Sequence, residues 1–231
     1  MKKQTNINGI PALVIGEDSP NVLLYLHGKL GYKEEAERIA DIANAAGYQV
    51  LSIDFPEHGE RKDETHGFDP WHVVPELRAV MEQLKKHYAG VSLMANSIGA
   101  WFAMQSFSAN DLDQCLFVSP VLDMENLIRN MMVWANVTED RLKQEQSIPT
   151  EFGETLSWDY LQYACQHPIW KWDTPTYILY GEHDQMTERD TVDAFCMRHK
   201  ANLTVMEQGE HWFHTEEQMQ YLRTWLKSAI E

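Results

Sequence analysis

The sequence predicts a single α/β domain built on a mostly parallel central sheet with helices on both faces. Three observations carry this reading. Short apolar runs of strand length alternate with amphipathic runs of helical length along nearly the whole chain, the pattern of strands paired in parallel through helical crossovers. No Pro/Gly/Ser-rich linker, internal repeat or low-complexity stretch divides the 231 residues, which fit one domain of ordinary size. Hydrophobic residues make up 44% of the chain and aromatics 11%, enough for a sizeable core and too many for a disordered chain.

The elements follow in chain order. Residues 4–15 are expected to add an antiparallel hairpin at the sheet edge. Residues 22–26 (Val-Leu-Leu-Tyr-Leu) are an unbroken apolar run of strand length. Residues 33–46 read as a helix closed by Gly47, with Ala36, Ile39, Ala40 and Ala43 on one face. Residues 49–53 give a second strand. Residues 71–88 give a second helix, with Val74, Leu77, Val80, Met81 and Leu84 at helical spacing. A third strand over residues 91–94 runs at once into a helical pattern over 98–107. Residues 116–118, 177–180 and 203–205 are three further strands, and residues 216–230 a last helix that opens on a Thr215/Gln218 capping box. One segment breaks the rhythm. Residues 124–173 contain no clear strand and are far longer than the usual connection of a few residues. They carry Met131, Met132, Trp134, Trp158, Tyr160, Tyr163, Trp170 and Trp172. A long connection of this kind is expected to be a short helical lid over a site.

Lys and Arg number 19 against 35 Asp and Glu, a formal charge of −16. That acidity argues against nucleic acid and anionic membrane surfaces, whose phosphates need clustered cations. Lys2 and Lys3 are followed by polar residues, the apolar stretch over residues 10–15 is too short for a signal peptide, and the run over residues 22–26 is far below a membrane span. Three widely spaced cysteines, Cys115, Cys165 and Cys196, suggest neither a disulfide framework nor a zinc motif. The expectation is a cytoplasmic protein that works on a small molecule.

The strongest chemical signal is Ala95-Asn96-Ser97-Ile98-Gly99, directly between a strand and a helix. A serine there sits on a sharp turn with its hydroxyl raised above the carboxyl ends of the strands, and the turn needs small residues two before and two after. Ala95 stands where the usual pattern has glycine, adding only a methyl. Downstream, Asp184 lies in Gly181-Glu182-His183-Asp184 just past a strand, and His211 in Gly209-Glu210-His211 after the final strand. The chain order Ser97, Asp184, His211 is the order of serine hydrolysis on such a sheet. Upstream, His27-Gly28-Lys29-Leu30-Gly31 is a glycine-bearing turn suited to offering a backbone N–H to an oxyanion. Asp123, which also follows a strand, is a rival for the acid, and His214 a rival for the base. His27 reads as a structural residue of its turn. The run His58, Asp63, Glu64, His66, Asp69 and His72 invites a metal, but its spacings match no known cage and read as solvated loop.

With its His27-Gly28 turn, its Asp54-Phe55-Pro56-Glu57-His58-Gly59 turn, its serine elbow and its Asp184 and His211 loops, the chain resembles the α/β-hydrolase superfamily from about residue 22 to residue 230, and in particular its small bacterial esterase-like members. The resemblance implies Ser97 as nucleophile, His211 as general base and then acid, and Asp184 as its orienting partner. It implies an oxyanion hole made by the N–H of Ile98 with that of Lys29 or Leu30. A serine hydroxyl becomes a useful nucleophile only when a base takes its proton, and a carboxylate on the far ring nitrogen holds the imidazole for that task. The expected substrate is a small carboxylic ester, cleaved without metal or organic cofactor. Leu30, Trp101, Trp134 and Trp158 are expected at the substrate pocket, and the Lys29 ammonium is either solvated or aimed at a substrate anion. Thioester or amide cleavage, an aminopeptidase holding its substrate amine on Glu57 or Glu125, and a non-catalytic receptor on the same fold remain alternatives.

Overall fold

The computed structural model describes residues 1–65 and 67–230. The chain opens with β1 (Lys2–Ile7) and β2 (Ile10–Ile15), an antiparallel hairpin turned by Asn8-Gly9, both at positive φ as the right-handed twist of a two-residue hairpin requires. Then come β3 (Asn21–Leu26), a 3₁₀ turn (Lys33–Arg38), α1 (Ala40–Ala45), β4 (Tyr48–Ile53) and α2 (Pro70–His87). β5 (Gly90–Asn96), α3 (Ile98–Ser106) and β6 (Cys115–Val118) complete the middle of the sheet. The long connection holds α4 (Met124–Trp134), α5 (Glu139–Glu145), β7 (Ser147–Pro149), β8 (Thr155–Ser157) and α6 (Trp158–Gln166). The chain closes with β9 (Thr176–Gly181), α7 (Arg189–His199), β10 (Asn202–Met206) and α8 (Glu216–Ala229).

Eight strands form one sheet in the order β1-β2-β4-β3-β5-β6-β9-β10, parallel from β4 to β10, with the hairpin antiparallel at one edge. β3, β5 and β6 are buried almost throughout, as strands covered on both faces must be. One face packs on α2 and α3 through Val73, Leu77, Val80 and Phe102; the other on α1 and α8 through Ile42, Leu222, Trp225 and Leu226. From β3 the chain crosses to β4 on one side, then through α2 to β5 on the other. The crevice at the carboxyl ends of β3 and β5 is therefore a topological switch point, where ligands of open α/β sheets bind.

Two elements differ from the sequence expectation. Residues 33–46 are not one helix but a 3₁₀ turn and a short α-helix separated at Ile39. Their first turn is tied to a neighbouring loop, because Lys33 donates its backbone N–H to Asp54 Oδ1 and its ammonium to Asp54 Oδ2, both at 2.8 Å. The long connection is not purely helical, for β7 and β8 pair as a small antiparallel hairpin. Its three-residue strands are too short to show alternation, and the turn is closed by Thr150 N–H donating to Glu154 O at 2.7 Å. The capping box on α8 forms as the Thr215/Gln218 spacing requires.

The Lys33–Asp54 pair is buried, with side chains 1% and 0% exposed. Asp54 Oδ2 also accepts from Glu60 N–H at 3.0 Å, and the Lys33 ammonium also meets Glu60 Oε1 at 2.7 Å. The loop after β4 is thus pinned to the loop after β3. Lys33→Met leaves a buried carboxylate without its counter-charge and is expected to cost about 3–5 kcal/mol. Urea unfolding of the variant measures this, and a loss below about 1 kcal/mol would show that the pair is not a buried charge pair.

Candidate active site

The site begins at the turn between β5 and α3. Ser97 lies there at φ 50 and ψ −122, a conformation that costs a non-glycine residue about 1–3 kcal/mol and persists only where its surroundings over-determine it. Here they do. Ser97 N–H donates to Val118 O at 3.0 Å, while its carbonyl accepts from the N–H groups of Ala100 and Val121, each at 3.1 Å. Close packing fixes the small residues around it. A Cβ at Gly99 would stand 2.6 Å from His27 O, and one at Gly28 would stand 3.2 Å from Ser97 Cβ. Ala95 is fully buried where its methyl is tolerated.

Two further loops reach the serine from the carboxyl ends of β9 and β10. They meet at a glycine contact, since a Cβ at Gly181 would lie 2.5 Å from Glu210 O. His183 N–H joins them, donating to Gly209 O at 2.8 Å. Ser97 Oγ is 2.9 Å from His211 Nε2, and His211 Nδ1 is 2.8 Å from Asp184 Oδ2. Asp184 Oδ1 accepts from the N–H groups of Met186 (2.8 Å) and Thr187 (3.1 Å), which fix the carboxylate from behind. A carboxylate only accepts, so the imidazole proton sits on Nδ1 and Nε2 is left to accept from the serine hydroxyl. The rivals are engaged elsewhere. Asp123 caps α4 by accepting from Asn126 N–H at 2.9 Å, and His214 Nδ1 bonds Trp212 O at 2.7 Å.

The turn after β3 faces the serine. Of its two candidate donors, Leu30 N–H is committed to His58 Nε2 at 2.9 Å. The N–H groups of Lys29 and Ile98 have no acceptor among the described residues, so these two are open to a developing oxyanion. His58 in turn donates Nδ1–H to Pro56 O at 2.7 Å. His27 donates Nδ1–H to Gly28 O at 2.7 Å and accepts from Phe55 N–H at 3.1 Å. Both rings work as neutral donor–acceptor bridges. Burial holds His27 down at about 4 and lowers His58 as well. This use of His58, across a loop gap, is one that sequence reasoning missed. Among the described residues no three His, Cys, Asp or Glu side chains are grouped to hold a metal ion, and His66 lies outside them. The Lys29 ammonium pairs with Glu154, in the turn of the β7–β8 hairpin, while its side chain stays partly exposed to solvent.

Ser97 stands between two cavities. One, of about 430 Å³, lies beneath the long connection and is lined by Phe68, Val121, Leu127, Ile128, Met131 and Tyr160 among others. The Tyr160 hydroxyl is buried with no hydrogen-bond partner among the described residues. The second, of about 490 Å³, lies on the α1 and α8 side and includes His211 in its wall. Leu30 lines both, while Trp101, Trp134 and Trp158 line neither. Trp101 is buried on the far side of α3 against Phe102, Tyr160 and Tyr163, and Trp134 is half-exposed against Phe152. Trp158 lies under the Lys143 ammonium. Helical spacing marks such rings as apolar without fixing which face they turn to. Glu57 stands at the mouth of the first cavity, and Glu125 is paired with Arg129 in a separate groove.

This combination of sheet, elbow and loops is a hydrolase architecture, and comparison with known proteins agrees. The chain belongs to the alpha/beta hydrolase family, whose profile matches residues 23–223. A structure of Est1E from Butyrivibrio proteoclasticus with bound ferulic acid is similar, with TM-score 0.76, 18% identity and 99% of each chain covered. So is a putative hydrolase from Agrobacterium vitis, with TM-score 0.77, 16% identity, and 100% and 99% covered. The thioesterase domain of a curacin biosynthetic pathway aligns with TM-score 0.63 at 17% identity over 100% and 98% of the chains. No curated protein matches the sequence. Among the described residues no helix is long and apolar enough to cross a membrane.

Two outcomes follow from the geometry. Ser97→Gly removes the backbone strain and is expected to unfold about 1 kcal/mol later than Ser97→Ala, which keeps it; paired urea curves decide this. His27 takes up its proton near pH 6.5 in the unfolded chain but only near 4 when folded. Its share of stability is therefore complete above the first value and lost as pH falls toward the second, by about 3 kcal/mol. His27→Asn should flatten that acid limb of a stability-against-pH curve, and an unchanged slope would count against the assignment.

Proposed function

We propose that the protein is a serine hydrolase that cleaves a small carboxylic ester through an acyl-Ser97 intermediate. The observation that carries this is the unbroken hydrogen-bond line from Asp184 Oδ2 through both nitrogens of His211 to Ser97 Oγ. Ser97 Oγ attacks the ester carbonyl as His211 Nε2 takes its proton, and Asp184 holds the imidazolium that forms. The N–H groups of Lys29 and Ile98 receive the oxyanion, a contribution worth about 10²–10³ in rate per donor. The alcohol departs with the proton from His211. Water, activated by the same ring, then releases the acid. No metal or organic cofactor enters these steps.

In this reading the chain is one hydrolase domain, and residues 124–173 act as its lid. The 430 Å³ cavity beneath them receives the acyl group, and its apolar wall suits a modest aliphatic or aromatic acid. Similarity to esterase structures, one of them holding an aromatic acid, supports the ester reading. The three cysteines are free, which supports a reducing compartment such as the cytoplasm.

Intact mass after treatment with a small fluorophosphonate tests the nucleophile without a guess at substrate. One adduct is expected, mapped to Ser97 and absent in His211→Ala. Ser97→Ala and His211→Ala should each lower kcat on p-nitrophenyl butyrate by at least about 10⁴. No adduct on folded protein would return the receptor reading, and faster turnover of amino-acid arylamides than of esters would make it a peptidase.

A further inference from the structure

The cavity on the α1 and α8 side of Ser97 has a wall that the steps above leave unused. Most of it is apolar, with Ile39, Met94, Val118, Phe213 and Leu222. One end is polar, with Tyr25, Glu35, Arg38 and Asn96. The Glu35 carboxylate is half-buried and makes no ion pair among the described residues; its one hydrogen bond is a long 3.4 Å contact from the Tyr25 hydroxyl. That hydroxyl in turn accepts from Asn96 Nδ2 at 2.7 Å, while Asn96 Oδ1 is buried with no partner among the described residues. The carboxylate lies against the turn that faces the serine, since a Cβ at Gly31 would sit 3.1 Å from Glu35 Oε2. Arg38, exposed at the rim, forms no close ion pair either among the described residues, although its charge acts on Glu35 from across this end of the cavity. By contrast Lys29, the lysine that lines both cavities, is already paired with Glu154.

The chemistry decides which half of an ester belongs here. When the tetrahedral intermediate collapses, the bond from the carbonyl carbon to the alcohol oxygen breaks. The proton that His211 took from Ser97 passes to that oxygen. The departing alcohol must therefore lie on the His211 side of Ser97, and His211 lines this cavity and not the one beneath the long connection. The polar end then selects among alcohols. An ammonium drawn to Glu35 would be repelled by Arg38, and an anion drawn to Arg38 would be repelled by Glu35. A neutral group carrying both donors and acceptors suits the two together.

We propose that this cavity holds the alcohol part of the ester, and that Glu35 and Arg38, with Asn96, select a neutral polyhydroxylated leaving group of the glycerol or sugar kind. The proposal rests on Ser97 being the acyl acceptor. Two or so additional hydrogen bonds of ordinary net strength amount to about a tenfold preference.

The experiment compares ethyl butyrate with glyceryl monobutyrate, which form the same acyl-enzyme, so that their kcat/KM ratio reports the leaving group alone. Wild type is expected to favour the glyceryl ester about tenfold. Glu35→Leu should bring the ratio to about one, whatever it does to either rate. Arg38→Met, at an exposed position where folding is not at stake, should lower the ratio in the same direction. Fluorophosphonate labelling of the same preparations separates the two levels of the argument. Without a Ser97 adduct, the serine-hydrolase reading falls and this proposal with it. With the adduct but no glyceryl preference, or with equal losses on both esters in Glu35→Leu, the proposal alone falls. Butyrylcholine turned over faster than the glyceryl ester, with that advantage lost in Glu35→Gln, would make the cavity a cation site and overturn it.

Discussion

The site depends on two turns meeting at van der Waals distance. β3 and β5 are neighbours in parallel register, with Leu26 opposite Ala95 at their ends, so the turn that follows each strand leaves the sheet at the same height. The first lays Gly28 against Ser97, and Gly99 in the second lies directly under the carbonyls of Leu26 and His27. No side chain fits at Gly99, and one at Gly28 would press on Ser97 Cβ. The backbone at Ser97 cannot relax out of its strained conformation without pushing these turns apart, and three backbone hydrogen bonds to Ser97 oppose that movement. Tight packing, not the serine's own preference, raises the hydroxyl where a base can reach it.

A second tier keeps the first turn in shape. The buried Asp54 carboxylate gathers the backbone and ammonium of Lys33 and the backbone of Glu60. His27 and His58 bridge the loops after β3 and β4 as neutral rings. Each of these groups is satisfied within the network, which is the condition for a polar cluster to rigidify an interior rather than weaken it. His58 also acts by subtraction. By occupying the N–H of Leu30 it leaves Lys29, of the two candidate donors in this turn, as the one whose N–H has no acceptor among the described residues.

The sheet, the hairpin and the terminal capping box were legible because each rests on a local pattern: an apolar run, a turn residue, a four-residue spacing. Ser97, Asp184 and His211 were legible for a different reason. Each follows the end of a strand, and chain order limited the combinations. What the sequence hid depends on contacts between distant loops. Glu35 and His58 look like any charged or polar loop residue until Tyr25, Gly31 and Leu30 are seen beside them. Trp101 misled in the opposite direction, because it follows the serine closely yet sits on the buried side of α3. The β7–β8 hairpin escaped because three residues are too few for a period. The break at Ile39 escaped because the pull on Lys33 comes from Asp54, twenty-one residues further along.

The two cavities are built from largely separate stretches of chain that share the elbow, the turn facing it and Met186. One wall comes mainly from the connection between β6 and β9, the other from the segment after β3 and from the chain around α8. Such a division makes the molecule modular. The side chains of the 124–173 connection that face the first cavity can change without altering those on the opposite flank, while Trp172 ties the end of the connection to the sheet through Phe117 and Thr176. Lineages built on this plan can therefore diverge in what they accept on one flank while inheriting the other unchanged, which gives a small scaffold a combinatorial rather than a linear route to new specificities.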